Sequence, residues 1–439
     1  MKILKFGGTS VGSAQRMREV AELIHAPHLD RRIVVLSAMS GTTNSLVEIA
    51  RLLYSGDAAA AEARITFLQQ RYHEVARELL GGQADALLPT LDQNFQTLHD
   101  LTAAPLSADG ERVVLAQGEL LSTRLVHAYV TEVLGRPAVL LPALDFMRID
   151  TDEEPDAPAI RERLATTLAP YATAPLFITQ GYICRNAQGS IDNLKRGGSD
   201  YSASLIGAAV GAEEIQIWTD IDGLHNNDPR IVKGTYPIRE LSFDEAAELA
   251  YFGAKILHPS SVLPARQHGI PVRLLNTMQP DAPGTLISAK TGAEAIKAVA
   301  AKDGITAINV KSSRMLLAHG FLRSLFEIFE RYRTSIDMIT TSEVAVSLTI
   351  DDAGRLPQIL AELRRFCTVE VDENQSIICL VGNLLQDAHG SANRAFTALR
   401  NIPVRMISYG GSPNNISILV STDDKVRALQ ALNEGLFRR

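Results

Sequence analysis

The chain has 439 residues, enough for about two to four domains with sizeable cores. Hydrophobic residues make up 46% and charged residues 21%, which is typical of a folded globular protein and excludes a largely disordered one. The net charge of −7 comes from interspersed acidic and basic residues, which argues against a nucleic-acid partner, and no apolar run approaches the roughly 20 residues that span a membrane.

Up to about residue 290, strand-like and helix-like segments alternate along the chain. Apolar residues recur at helical spacing over 14–26, and a further helix is predicted over 111–135. The region 57–108 lacks strand candidates and predicts a helical insertion or lid. The alternation is typical of an α/β fold whose mostly parallel sheet is covered on both faces. The strand candidates start near residue 3 and continue at 33–36, 176–179 and 215–218.

Beyond a Pro/Gly cluster at 280–284, two similar sets of strands and helices follow each other. Residues 336–339 (Ile-Asp-Met-Ile) in the first set match residues 404–407 (Val-Arg-Met-Ile) in the second, which indicates a duplicated ferredoxin-like βαββαβ unit. The first set is strand 305–311, helix 320–333, strands 335–341 and 344–350, helix 353–366 and strand 367–373. The second is strand 376–382, helix 389–400, strands 402–409 and 415–420, and helix 423–435.

These patterns predict a domain over 1–290 and two smaller units over 300–372 and 373–439, with strand 305–311 a candidate to pair with the C-terminal unit. Units of this kind often pair their sheet edges, which favours a homo-oligomer.

The first motif, Lys5-Phe6-Gly7-Gly8-Thr9-Ser10-Val11, follows a short apolar run. Glycines let backbone N–H groups approach phosphate oxygens, a helix start adds partial positive charge, and Lys5 adds a full one. The spacing is not that of a Walker A loop. By itself the segment predicts either a phosphate site or a tight strand-to-helix turn.

Two further segments allow a functional and a structural interpretation. The hydroxyl-rich loop 37–44 can hold an anion, or Thr43 or Asn44 can simply cap the next helix. Gln117-Gly118-Glu119 lies in a predicted helix, where Glu119 is either solvated or a ligand for an ammonium group.

The segment Arg196-Gly197-Gly198-Ser199-Asp200 ends a loop and opens a helix predicted over 201–211. Arg196 offers a bidentate fork for a carboxylate, the glycines offer N–H groups, and Asp200 can orient a lysine or reach Mg²⁺. The alternative is a helix start capped by Ser199 or Asp200. A basic-glycine-acidic cluster directly after a strand region favours a functional role.

Residues 219–230 (TDIDGLHNNDPR) follow the strand candidate that ends at Trp218. A polar loop with aspartates and an arginine at that place suits the base, ribose and phosphates of a nucleotide. Lys255, within 252–259 (FGAKILHP), is a second candidate cation, although a surface lysine is the default interpretation.

In this order, the stretches 5–11, 40–44, 118–119, 196–200, 219–230 and 252–259 resemble the aspartokinases of the amino-acid kinase superfamily. The resemblance covers essentially the whole chain, because the duplicated C-terminal units resemble the paired ACT regulatory domains of these enzymes. It implies an amino-acid-kinase-like three-layer sandwich followed by two ACT domains. The implied reaction is phosphorylation of the side-chain carboxylate of L-aspartate by ATP with Mg²⁺, giving 4-phospho-L-aspartate, the first step toward lysine, methionine and threonine.

The resemblance also implies a role for individual residues. Lys5 and Asp200 are the implied catalytic residues, Lys5 on the ATP phosphates and Asp200 organising that end of the site. The implied aspartate ligands are Thr43, Glu119, Arg196 and Ser199, and the implied nucleotide ligands are Lys5, Gly7, Gly8, Thr219, Asp220, His225, Arg230 and Lys255. His225 stands where the family commonly has tyrosine.

Elementary chemistry agrees with these roles. The attacking group is already a carboxylate at neutral pH, so the reaction needs no general base. The remaining task is to bring two anions together while charge spreads over the transferred phosphoryl group, which Lys5, Lys255, glycine N–H groups and Mg²⁺ would stabilise. Arg196 on the α-carboxylate and Glu119 on the α-ammonium would fix which carboxylate faces ATP.

Residues 315–343 resemble the effector site of lysine-inhibited aspartokinases, which predicts inhibition by L-lysine. A strand-to-helix turn can hold the effector's carboxylate, and Asp337 and Glu343 its ammonium groups, although helix capping and solvated acids explain the same residues. Positions 317 and 318, commonly polar in lysine-sensitive members, are Leu317 and Ala318. The candidate effector residues are Met315, Gly320, Phe321, Leu322, Ile336, Asp337, Ser342 and Glu343.

The sequence is also compatible with other functions. A kinase of the same fold can act on glutamate or N-acetylglutamate, and a metabolite sensor with an inactive kinase half or a ligand-free scaffold are further alternatives. Three scattered cysteines without C-x-x-C spacing predict a reduced, cytoplasmic protein without a metal site. We expect a homodimer or tetramer through the C-terminal units.

Overall fold

The structure is a computed structural model that describes residues 1–25, 31–195, 197–253, 257–290, 295–311, 320–384 and 390–437. These residues form two compact units. The first comprises Met1–Leu224 and Leu257–Ala289, and the second comprises His225–Ile256 and Lys290–Arg439. The domain ranges inferred from sequence stay a prediction, and the segment His225–Ile256 groups with the C-terminal residues.

The elements up to residue 288 follow in chain order, with β8 and α9 belonging to the second unit. They are β1 (Lys2–Phe6), α1 (Ala14–Leu23), β2 (Arg32–Leu36), α2 (Thr42–Tyr54), α3 (Ala58–Leu80), α4 (Ala84–Asp100), α5 (Ala108–Ala128), β3 (Val139–Leu141), α6 (Ala143–Phe146), α7 (Ala157–Leu168), β4 (Leu176–Gln180), β5 (Ile183–Arg185), β6 (Ile191–Asn193), α8 (Gly198–Val210), β7 (Glu214–Thr219), β8 (Glu240–Ser242), α9 (Phe243–Tyr251), α10 (Leu263–Gln267), β9 (Val272–Asn276) and β10 (Thr285–Ser288).

The central sheet of the first unit runs in the order β3-β4-β2-β1-β7-β9-β10. Its neighbouring strands are parallel from β3 through β9, and only the β9–β10 pair is antiparallel. β1 lies between β2 and β7, with Lys5 opposite Val35 and Ile217. Strands β2 and β4 are buried at every position, as their unbroken apolar runs predict. The predicted mostly parallel α/β fold is confirmed.

The helical insertion predicted over 57–108 is also present, as α3 and α4. Both helices place apolar side chains in the main core of this unit, including Tyr72 and Phe95, whose rings meet edge to face at 5.8 Å. The insertion is therefore an integral part of the first unit's core.

The second unit continues with a similar list of elements. They are β11 (Ala298–Lys311), α11 (Phe321–Arg331), β12 (Ile339–Thr341), β13 (Ala345–Ile350), α12 (Leu356–Leu363), β14 (Thr368–Val381), α13 (Ser391–Ala398), β15 (Met406–Tyr409), β16 (Asn415–Ser421) and α14 (Lys425–Leu436). All six strands form one antiparallel sheet in the order β12-β13-β11-β14-β16-β15.

Two long strands join the duplicated halves of this sheet. The two strands predicted at 367–373 and 376–382 are one strand, β14, and β11 begins at Ala298, before the strand predicted over 305–311. Ala298–Lys302 pairs with the second half of β14, while the later part of β11 pairs with the first half of β14 and with β13. Each half has its own apolar core under its helices. Duplication of a ferredoxin-like unit is thus realised as one continuous sheet.

Candidate functional site

The loops that leave β1 and β2 meet at the carboxyl edge of the parallel sheet. The Ser40 N–H donates to the Gly8 carbonyl at 3.1 Å, and the Ser37 N–H donates to the Phe6 carbonyl at 3.1 Å. A Cβ on Gly8 would lie 2.9 Å from the Ala38 carbonyl oxygen, so this approach requires glycine. Because neighbouring parallel strands place their following loops side by side, two segments distant in sequence form one polar wall.

Helix α2 begins at Thr42, with Gly41 at the N-cap in the left-handed region (φ 80°) and without a side-chain cap. Thr43 and Asn44 therefore lie in the first turn, and the alternative that either one caps this helix is wrong. Both side chains are exposed and line the cavity described below.

Glu119 projects from α5 toward the loop after β2. The Ala38 N–H donates to Glu119 Oε1 at 3.2 Å, and the residue is only 5% exposed. Helix α5 can approach this closely because Gly118 has no side chain and because the Ser122 hydroxyl donates to the Ser37 carbonyl at 2.7 Å. Burial raises the pKa of Glu119 to about 8, against a smaller lowering by the Ala38 N–H.

Lys5 and Asp200 meet across the sheet edge. Lys5 Nζ lies 2.7 Å from Asp200 Oδ1, and their side chains are 11% and 15% exposed. Helix α8 starts at Gly198, earlier than the 201–211 predicted from sequence, with Gly197 at the N-cap in the left-handed region (φ 68°). Ser199 and Asp200 are therefore first-turn residues, and the alternative that one of them caps the helix is wrong.

A cavity of about 540 Å³ lies among these elements in the first unit. It brings together six of the residues predicted from sequence. They are Gly8, Thr43, Glu119, Ser199, Thr219 and Asp220. The remaining lining residues are Thr9, Ser37, Ala38, Met39, Ser40, Gly41, Asn44, Tyr182 and Gly198. The predicted residues Lys5, Gly7 and Asp200 are not among its lining residues, although Lys5 Nζ lies 3.5 Å from the position that a Cβ on Gly7 would take.

The predicted nucleotide residues divide between the two units. Thr219 and Asp220 lie at the cavity, where the Thr219 hydroxyl donates to Asp220 Oδ1 at 3.1 Å. His225 and Arg230 belong to the second unit, where His225 Nδ1 is 3.0 Å from Thr235 Oγ1 and Arg230 makes a two-pronged contact with Asp228. Arg196 and Lys255 lie outside the described residues.

Sequence reasoning missed two features of this site. Tyr182 lines the cavity with a left-handed backbone (φ 67°) that a non-glycine residue rarely adopts, and no sequence pattern marks it. Helix α3 supports the loop after β2: Arg71 Nη2 donates to the Ser40 carbonyl at 2.8 Å, and the buried Tyr72 hydroxyl is 3.0 Å from Thr42 Oγ1. In the sequence, only the length of the helical insertion indicated that it could support this loop.

The predicted effector residues lie in the first half of the second unit. Gly320 is the N-cap of α11 in the left-handed region (φ 89°), and Phe321 packs edge to face on Phe366 at 5.9 Å. Leu322 is 40% exposed, and Ile336 packs against the local core. Met315, with Leu317 and Ala318, lies outside the described residues.

Asp337 differs from the other acidic candidate, Glu343. The Asp337 side chain is completely buried and accepts hydrogen bonds from the Tyr251 hydroxyl at 2.7 Å and from Lys302 Nζ at 3.1 Å. Burial raises the pKa of Asp337, although Tyr251 and Lys302 oppose the rise. Ser342 and Glu343 are exposed, and the Ser342 N–H donates to the Ala345 carbonyl at 2.8 Å in a tight turn.

No group of three or more histidine, cysteine or acidic side chains in the described ranges is placed to hold a metal ion. Across the same ranges, no helix combines the length and the apolar character that crossing a membrane requires. The three cysteines are free.

The chain is similar in sequence to known protein families and to known enzymes. The model of the amino acid kinase family matches residues 1–276, and an ACT domain model matches residues 378–436. Lysine-sensitive aspartokinase 3 of Escherichia coli (strain K12) is 36% identical over 456 residues, covering 99% of both chains. The chloroplastic aspartokinase 3 of Arabidopsis thaliana is 35% identical over 99% of this chain and 81% of its own length.

Two solved structures match this chain over its full length. The E. coli aspartokinase III complex with lysine and aspartate has a TM-score of 0.83 at 34% identity, with 100% of both chains covered. The complex of the same enzyme with aspartate and ADP has a TM-score of 0.80 at 34% identity and the same coverage. Matched along its whole length in sequence and in fold, the chain belongs to the aspartokinases, the aspartate kinase enzymes of the amino acid kinase family.

Proposed function

We propose that the chain transfers the γ-phosphoryl group of ATP to the side-chain carboxylate of L-aspartate. The product would be 4-phospho-L-aspartate, the first intermediate toward lysine, methionine and threonine. The observation that carries the proposal is the single cavity in which Glu119, Ser199 and the glycine loop at Gly8 meet. A relative of the same fold was solved with aspartate and ADP.

The amino acid would be held through its ammonium group. Glu119 is a buried carboxylate at the wall of the cavity, and within the described ranges it has no ion-pair partner. A buried acid without a cation is costly, and an incoming α-ammonium would remove that cost. With Arg196 on the α-carboxylate, only the side-chain carboxylate is left to face ATP.

The phosphoryl group would be stabilised by Lys5 and the backbone N–H groups of the glycine loop. Asp200 holds the Lys5 ammonium at 2.7 Å and so fixes its position before ATP arrives. The substrate carboxylate is the nucleophile and needs no proton removed, so positioning and charge stabilisation supply the catalysis.

Mg²⁺ would enter with ATP. Asp220 lines the cavity, Asp200 contacts Lys5, and both carboxylates are oxygen ligands of the kind that Mg²⁺ accepts. Because Mg²⁺ keeps several waters and binds substrate phosphates, a site with one or two protein carboxylates fits it. When bound, the ion would neutralise charge on the phosphate oxygens.

We also propose feedback inhibition by L-lysine through Asp337 and the turn at Gly320. The E. coli relative is named lysine-sensitive, and its fold was solved with lysine. Strands β12 and β15 end the strand order of the second unit's sheet and contact each other within the chain. Exposed apolar side chains lie on or beside them, including Val344, Ile407 and Tyr409. Packing of this exposed apolar surface between copies would give the proposed dimer or tetramer.

The test is ADP release with Mg-ATP and either L-aspartate or L-glutamate, each with and without millimolar L-lysine. We expect turnover with aspartate, little with glutamate, and suppression by lysine. Equal turnover with glutamate would contradict the assigned substrate. Turnover with aspartate that millimolar lysine leaves unchanged would contradict only the effector assignment, and L-threonine would be the next compound to test.

A further inference from the structure

An ion-pair cluster in the second unit involves the carboxylate that the proposed effector must reach. Lys302, on β11, places Nζ 3.1 Å from Asp337 Oδ1 and 2.8 Å from Asp351 Oδ2. Tyr251, the last residue of α9, donates its hydroxyl to the same Asp337 oxygen at 2.7 Å. Its ring centroid lies 4.3 Å from the Lys302 ammonium, a cation–π contact. The Lys302 ammonium is therefore fixed from three sides.

These contacts involve only one of the two carboxylate oxygens of Asp337. Oδ1 receives both hydrogen bonds, while Oδ2 is buried and has no hydrogen-bond partner among the residues that the structure describes. Two carboxylates, Asp337 and Asp351, share one ammonium, so the cluster keeps an excess of negative charge. Such a cluster attracts a further cation, but that cation would lie within a few ångströms of Lys302.

We propose that Lys302 is an internal competitor for the effector and sets its affinity. This inference rests on the proposed inhibition by an amino acid whose ammonium group binds Asp337. The side chain of Lys302 presents the same alkyl-ammonium group that free L-lysine would present, and it already contacts the receiving carboxylate. An incoming ammonium must displace Lys302 or bind beside it against like-charge repulsion, and both routes weaken binding.

The experiment measures L-lysine binding by calorimetry and lysine inhibition of ADP release for the full-length enzyme and its variants. Lys302→Met removes the internal ammonium and keeps an unbranched side chain of similar length. We expect lysine to bind roughly tenfold more tightly and to inhibit at a correspondingly lower concentration. Lys302→Arg keeps the positive charge and should stay close to the wild-type affinity.

A matched control lies on the same strand. Lys311 pairs with the exposed Glu370 at 2.9 Å, away from Asp337, so Lys311→Met removes one lysine charge from β11 without touching the cluster. Its lysine affinity should be unchanged. Tyr251→Phe removes the other donor to Asp337 without changing charge, and it should strengthen lysine binding less than Lys302→Met does. Thermal melting of each variant checks that the unit remains folded.

Two results support the inference: tighter lysine binding in Lys302→Met, or binding that appears in this variant when the wild type shows none. Unchanged or weaker binding in Lys302→Met, or an equal gain in Lys311→Met, would overturn it. If neither the wild type nor Lys302→Met binds lysine, the inference falls together with lysine regulation. Aspartate-dependent ADP release would still report separately on the proposed kinase reaction.

Discussion

The two units each bury a carboxylate that we assign to an amino-acid ammonium group, and they bury it in different ways. Glu119, in the first unit, accepts one hydrogen bond, from a backbone N–H, and burial raises its pKa to about 8. Asp337, in the second unit, contacts a tyrosine hydroxyl and a lysine ammonium. Among the described residues, the carboxylate of the proposed substrate site is thus left without a cation, whereas that of the proposed regulatory site already contacts one. An uncompensated acid favours tight binding, and a compensated one favours a response only at high effector concentration.

Lys5→Ala should have the largest effect, because it removes the cation that we propose to face the phosphoryl group and takes away the ammonium that pairs with Asp200. We expect kcat to fall roughly 100- to 1,000-fold, with a much smaller change in the KM of aspartate. Steady-state kinetics with Mg-ATP measures both. Lys2→Ala on the same strand is the control, and near-normal kcat in Lys5→Ala would show that this lysine does not act on the phosphates.

Glu119→Gln tests the uncompensated carboxylate directly. Loss of the charge should raise the KM of L-aspartate roughly 10- to 100-fold and change kcat less, because the contact is made equally in the ground and transition states. Glu111→Gln is the matched control on the same helix, since Glu111 is bonded to the exposed Tyr54 hydroxyl at 2.9 Å. An unchanged KM in Glu119→Gln would contradict the proposal that Glu119 binds the ammonium group of aspartate.

The raised pKa of Glu119 predicts a pH dependence of aspartate binding. Below about pH 8 the carboxyl group of the free enzyme is neutral and must lose its proton to receive an ammonium. The KM of aspartate should therefore fall about tenfold per pH unit as pH rises toward 8 and then level off. Glu119→Gln should flatten this profile, and a profile that is the same in both enzymes would assign the titration to another group.

Tyr72→Phe should have the smallest effect. It removes the buried hydroxyl that lies 3.0 Å from Thr42 Oγ1 beneath the loop after β2. We expect a loss of about 1 kcal/mol in the free energy of unfolding and an increase of less than about fivefold in the KM of aspartate. Tyr54→Phe, on an exposed tyrosine, is the control for thermal melting and kinetics.

Much of the fold could be predicted from local sequence patterns. Buried parallel strands such as β2 and β4 are continuous apolar runs, and the helical insertion lacks strand candidates, so both were predicted correctly. The continuous β14 was predicted as two strands, because its middle, Asp372-Glu373-Asn374-Gln375, is polar, and Glu373 and Asn374 are exposed. Local polarity indicates exposure there. The strand continues because β14 pairs with its neighbour β11 on both sides of this stretch, with a register shift between Ile305 and Ala307.

The site was predictable where a motif lies at the end of a strand. Gly8 and Asp220 follow strands, Thr43 and Ser199 lie in the first turns of helices, and all four line the cavity. Tyr182 and Arg71 were not predictable, because their roles depend on long-range packing. The contact of Lys302 with Asp337 could not be predicted either. A lysine on a β-strand has no special spacing, and only the fold places it beside Asp337.

The most direct test of the contrast between the two carboxylates is the number of protons released when ligand binds, measured by calorimetry at pH 7 in buffers of different ionisation enthalpy. Aspartate binding should release close to one proton, because Glu119, with its pKa raised to about 8, must ionise to hold the ammonium. Glu119→Gln should abolish that release. Aspartate binding without proton release in the wild type would contradict the account.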